Sequence, residues 1–122
     1  MDTFRLLYKW FLEVPLSREE SRIQIFTKNF ETGELLLKGK AINGKLNGRN
    51  QVFYKNGNIH CDLIYKDNEM DGLCKGYYLY GQLALEVLFD MGEAIYGTYY
   101  KKSGFKTIMT PLQLEKKSDS NL

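Results

Sequence analysis

Three segments of this chain superimpose at a constant offset of twenty-four residues: Phe30-x-x-Gly33-x-Leu35, Tyr54-x-x-Gly57-x-Ile59 and Tyr78-x-x-Gly81-x-Leu83. An aromatic, a glycine and an aliphatic residue return in one order at one spacing. Further pairs obey the same offset, among them Leu46 and Met70, Gly48 and Gly72, Phe53 and Tyr77, Leu63 and Val87, and Tyr65 and Phe89. Gly44, Asn68 and Gly92 make another column, in which Asn replaces Gly where a left-handed backbone is wanted. Such a period marks an array of one supersecondary unit stacked on itself, which offers an extended surface rather than a deep pocket. Tyr99, Tyr100 and Gly104 read as a degraded fourth copy, as end units that lack a neighbour often are.

Each unit reads as a β-hairpin. Thr32-Gly33, Asn56-Gly57 and Tyr80-Gly81 lie between β-prone segments, and Asn-Gly is the strongest short hairpin signal. The expectation is a two-residue type I′ turn, with Lys55 opposite Asn58, Tyr54 opposite Ile59, Phe53 opposite His60 and Val52 opposite Cys61. Alternation along the strands then assigns one apolar face to Phe30, Leu35 and Leu37 in the first unit. Val52, Tyr54, Ile59, Cys61, Leu63 and Tyr65 continue it in the second, and Gly76, Tyr78, Leu83, Leu85, Val87 and Phe89 in the third. So much apolar surface requires a cover. The opposite face carries Lys38, Lys40, Phe53, His60, Asp62, Ile64, Tyr77, Ala84, Glu86 and Leu88. Two readings fit that mixture: a solvated outer face, or a partner surface anchored by Phe53 and Tyr77 with His60, Asp62 and Glu86 supplying polar definition.

The N-terminal segment supplies a candidate cover. Phe4, Leu7, Tyr8, Phe11 and Leu12 follow the spacing of an amphipathic helix that Pro15 stops. Arg5, Lys9 and Glu13 interrupt the run, so neither a signal peptide nor a membrane span is expected. The chain thus divides into a helix and connector over 1–20, a repeat array over 21–109 and a polar tail over 110–122. Its 122 residues, 43% hydrophobic and 26% charged, suit one globular domain. A net charge of +2, with lysines interleaved among acids, predicts neither a basic patch nor nucleic-acid binding. Cys61 and Cys74 are expected as free thiols in a reducing, cytoplasmic compartment, with Cys61 buried and inert.

No residue pattern points to catalysis. The single histidine, His60, neighbours Cys61, and alternation along a strand would aim the two at opposite faces. His60 and Asp62 share a face but lack a third ligand, so no metal and no cofactor are expected. Asp62 and Glu86 occupy equivalent columns with Lys38, which reads better as a cross-strand charge ladder than as a catalytic carboxylate pair. The glycines follow the repeat period and form no phosphate loop.

Gly44-Lys45-Leu46-Asn47-Gly48 followed by Phe53-Tyr54-Lys55-Asn56-Gly57-Asn58-Ile59 resembles the variant MORN repeat of bacteria. Glu69-Met70-Asp71-Gly72 followed by Tyr77-Tyr78-Leu79-Tyr80-Gly81-Gln82-Leu83 resembles it too, and the similarity spans roughly residues 25–106. The resemblance implies hairpins stacked into an elongated, twisted antiparallel sheet. Bacterial proteins of this repeat type include the YwqK-family antitoxins, so it also implies a small non-enzymatic protein that binds and neutralises a protein partner. MORN arrays also serve as scaffolds and lipid-associated modules. The alternatives are therefore a membrane-associated scaffold that uses the Phe4–Leu12 stripe, or a small-molecule binder that uses the outer face. A monomer and a homodimer both fit the sequence.

Overall fold

The structure, a computed structural model, describes residues 22–103 and the backbone of a strand at 106–109. The helix expected within 1–20, Gly104 of the fourth copy and the tail of 110–122 lie outside the described residues. Among the described residues, ten strands form one antiparallel sheet and there is no helix. The strands are β1 (Ile23–Asn29), β2 (Leu35–Ile42), β3 (Lys45–Leu46), β4 (Gly48–Phe53), β5 (Ile59–Lys66), β6 (Glu69–Met70), β7 (Gly72–Tyr77), β8 (Leu83–Asp90), β9 (Glu93–Tyr100) and β10 (Lys106–Met109). Their order in the sheet, β1-β2-β4-β5-β7-β8-β9-β10 with β3 on β2 and β6 on β5, is an open meander of hairpins.

The predicted hairpins form at the predicted places, but with a different turn. The Gly57 N–H donates to the Tyr54 carbonyl and the Tyr54 N–H to the Asn58 carbonyl, which closes a three-residue loop of Lys55, Asn56 and Gly57. Of these, Gly57 alone takes a positive φ, 91°. The same bonds recur around Phe30 and Gly33, and around Tyr78 and Gly81. Asn56 stays out of the left-handed region while its side chain works elsewhere. Its Oδ1 accepts from the Asn58 N–H at 2.9 Å and its Nδ2 donates to the Leu79 carbonyl of the next hairpin at 3.1 Å. Turns with two successive left-handed residues lie at the other end of the units, at Asn43-Gly44, Asp67-Asn68 and Met91-Gly92.

The three-residue loop brings a bulge with it. Val52 pairs with Cys61 as expected, but Phe53 pairs with Ile59, so His60 is an extra residue in β5. Leu36 and Ala84 are the extra residues of β2 and β8. The columns exchange faces there: Leu36 and Ala84 are buried, while Leu35, expected inside, is exposed. His60 turns with its column and stacks on Tyr54, ring centroids 4.2 Å apart and planes 17° from parallel.

Away from the bulges the apolar face is as expected. Leu37, Val52, Cys61, Leu63, Tyr65, Leu85, Val87 and Phe89 are buried there, joined by Phe26, Leu46 and Cys74. The cover expected from the N-terminal stripe lies outside the described residues. One polar side chain, Asn50, is fully buried among the described residues. The strand opposite β2 is broken at Asn47, between β3 and β4, which leaves the Lys40 N–H without a strand partner. Asn50 Oδ1 accepts from that N–H at 3.1 Å, and its Nδ2 donates to the Gly48 carbonyl. One unit later Cys74 stands in the column of Asn50, and its Sγ lies 3.4 Å from the Ile64 N.

Candidate interaction face

The outer face is organised as rows that cross the strands. The central row runs Thr27, Lys38, Gln51, Asp62, Lys75, Glu86 and Thr98, each the direct neighbour of the next. Asp62 and Glu86 are thus separated by Lys75, which makes a charge ladder and not a carboxylate pair. Arg49 donates to both Asp62 oxygens, Nε and Nη2 each at 2.7 Å. That contact holds the guanidinium above its ordinary pKa, first through the hydrogen bond and then through the Asp62 charge. Glu86 accepts from the Tyr100 hydroxyl at 2.7 Å, which pushes the phenol pKa up.

Phe53 and Tyr77 end β4 and β7 on this face, both half-buried, opposite Ile59 and Leu83. One strand, β5, lies between β4 and β7, so the two aromatics stand about two strand spacings apart, about 10 Å. Phe53, Asp62, Tyr77 and Glu86 therefore share the outer face. His60 does not join them, because the bulge returns it to Tyr54 and hence to the side of the core. It also lies on the side of Cys61, which the simple alternation argument had separated from it. The Cys61 thiol is buried and its pKa is driven well up, chiefly by desolvation, so it is far from a thiolate nucleophile.

Tyrosine hydroxyls tie successive units together at the hairpin ends. Tyr54 Oη donates to the Tyr77 carbonyl at 2.6 Å, and Tyr78 Oη to the Tyr100 carbonyl at 2.8 Å. Asn58 Nδ2 joins Asn56 on the Leu79 carbonyl at 3.0 Å. Cations close over the aromatics of this register: Lys55 Nζ over the Phe30 ring at 5.4 Å and Lys102 Nζ over Tyr78 at 5.3 Å.

Two features of the face were not foreseen. Lys38, Lys40 and Arg49 gather around a cavity of about 400 Å³ with Ile25, Gly39, Gly48 and Gln51, although the lysine spacing had predicted no basic patch. The cluster arises across strands, since β2–β4 pairing sets Leu37 against Val52 and Lys38 against Gln51, residues distant in the chain. One unit on from Arg49, Leu73 faces Leu88 and Leu88 faces Tyr96, an apolar strip with Leu73 and Tyr96 exposed. The twenty-four-residue column could have shown the contrast, because it sets Arg49 against Leu73 and Lys40 against Ile64.

The described residues thus define a hairpin-repeat protein with one buried face and one open, charge-laddered face. Comparison of the chain with protein-family models and with curated proteins found no match. Among the described residues, no helix is long and apolar enough to cross a membrane.

Proposed function

We propose that the protein is a non-enzymatic interaction module, an antitoxin- or immunity-type inhibitor that binds and neutralises a protein partner through its outer face. The observation that carries this reading is the pair Phe53 and Tyr77, equivalent residues of successive units, half-buried beside a ladder of charges on an open sheet. Aromatic anchors ringed by polar groups are the usual composition of an interface centre. The MORN resemblance supports the same reading through its antitoxin members. Two free, buried thiols support a reducing, cytoplasmic setting.

The test is affinity capture of the partner from the native host, followed by titration of the purified pair. Phe53→Ala with Tyr77→Ala is expected to weaken binding by at least about tenfold while the melting curve stays cooperative. A double variant that folds and binds as tightly as the parent would remove the outer face as the contact surface.

A further inference from the structure

The cavity at the β2–β4 end of the outer face holds three cations against the single carboxylate of Asp62. Arg49 uses Nε and Nη2 on Asp62, so Nη1 stays outside that pair. With its amide oxygen set toward Arg49, Gln51 accepts from the same two nitrogens at 3.2 Å and fixes the fork further. Lys38 and Lys40 have no acidic partner among the described residues. The Lys40 stem runs over Gly48, where an added Cβ would lie 3.6 Å from Lys40 Cδ, so it leans toward β4. Gly48 lines the cavity with backbone alone beside that stem, whereas a Cβ on Gly39 would point away from it, into Phe26 and Asn50.

Spacing selects among anions. Lys38 and Lys40 are two residues apart on one strand, so their Cα atoms are about 6.7 Å apart. Alternate side chains of any extended segment have that same separation. The strand positions that carry the cations run along β2 and across to β4, a layout that a line of anions can follow. The Lys40 N–H is taken within the sheet by Asn50 Oδ1 and so gives the cavity no backbone donor. Arg49 already holds one carboxylate in the bidentate geometry that guanidinium favours.

We propose that this cavity receives an extended acidic segment of the protein partner, with carboxylates at alternate positions meeting Lys38, Lys40 and Arg49. The proposal rests on the reading of the outer face as the partner surface and adds the partner's chemistry. The neighbouring units, with Ile64, Leu73, Leu88 and Tyr96, then meet apolar residues that flank the acidic segment.

The probe is a short capped peptide of alternating threonine and glutamate, compared by calorimetry with an isomer of the same composition whose glutamates are contiguous. The alternating peptide should bind at least about fivefold more tightly, and more weakly as salt rises from about 50 to about 200 mM. Lys38→Glu with Lys40→Glu should cost at least about tenfold. Lys66→Glu with Lys101→Glu, the same charge change at exposed residues that do not line the cavity, should cost little. Equal binding of the two peptides, or equal loss in the two double variants, would overturn the proposal. So would displacement of the peptide by equimolar inorganic phosphate, which would make the cavity an oxyanion site. With the captured partner the two readings separate: Phe53→Ala with Tyr77→Ala tests the face, and Lys38→Glu with Lys40→Glu tests the acidic segment. Loss of binding in the first variant alone would leave the face standing without its acidic ligand.

Discussion

Met91 holds a backbone conformation that its side chain disfavours. Its φ is 48°, and the equivalent residues one and two units earlier are Asp67 and Asn43, which tolerate that region far better. The Met91 side chain is exposed, so nothing in the core compensates. Met91→Asn should therefore stabilise the protein by about 0.5–1 kcal/mol, read as a raised urea midpoint with an unchanged slope. Gly39 is the opposite case. A Cβ there would fall on the Phe26 ring and on the Asn50 amide that satisfies the Lys40 N–H. Gly39→Ala is expected to cost about 1–3 kcal/mol; a variant as stable as the parent would show that Phe26 and Asn50 can move aside freely.

Between elements, the stitching is done by side chains that recur with the period. Tyr54 and Tyr78 each send a hydroxyl to a main-chain carbonyl of the following unit. Tyr54→Phe keeps the ring and its stack on His60 but leaves the Tyr77 carbonyl without that donor, at a cost of about 1 kcal/mol. Hydrogen exchange should quicken in β5 and β7 before it does in β1; uniform quickening would mean that the tie is not local. The hairpins and most of the buried face were legible because glycine columns and strand alternation act locally. The bulge was not. Asn56-Gly57 satisfies the rule for a two-residue turn, yet all three units close the same three-residue loop, and in the second the Asn56 and Asn58 amides add bonds to the Leu79 carbonyl. That one extra residue moved His60 off the face it was assigned to, while Phe53, Asp62, Tyr77 and Glu86 kept theirs. Lys38, Lys40 and Arg49 were missed as a group because linear spacing does not report cross-strand neighbours.

The whole molecule depends on a buried face whose ionisable groups must stay protonated. Desolvation pushes the Cys61 thiol well up and that of Cys74 to about 11, against an ordinary value of 9.0. Burial, then the hydrogen bond with Tyr99, raises Tyr78 from 10.0 to about 12, and burial raises Tyr54 as well. Each group holds its proton more tightly in the folded chain than in the unfolded one. Its contribution is therefore fully present below the unfolded pKa and is lost as pH rises through the folded value. Stability should be level near neutrality and decline from pH 9.0 toward about 11 as Cys74 is drawn to ionise, with Tyr78 extending the decline toward about 12. The Cys74 shift alone corresponds to roughly 2–3 kcal/mol. Cys74→Ala removes that component, so its urea midpoint should fall less steeply over this interval than the parent's, even though it starts lower for want of the sulfur's packing. A parent midpoint that stays level through pH 11 would mean that water reaches these thiols and phenols in the folded sheet.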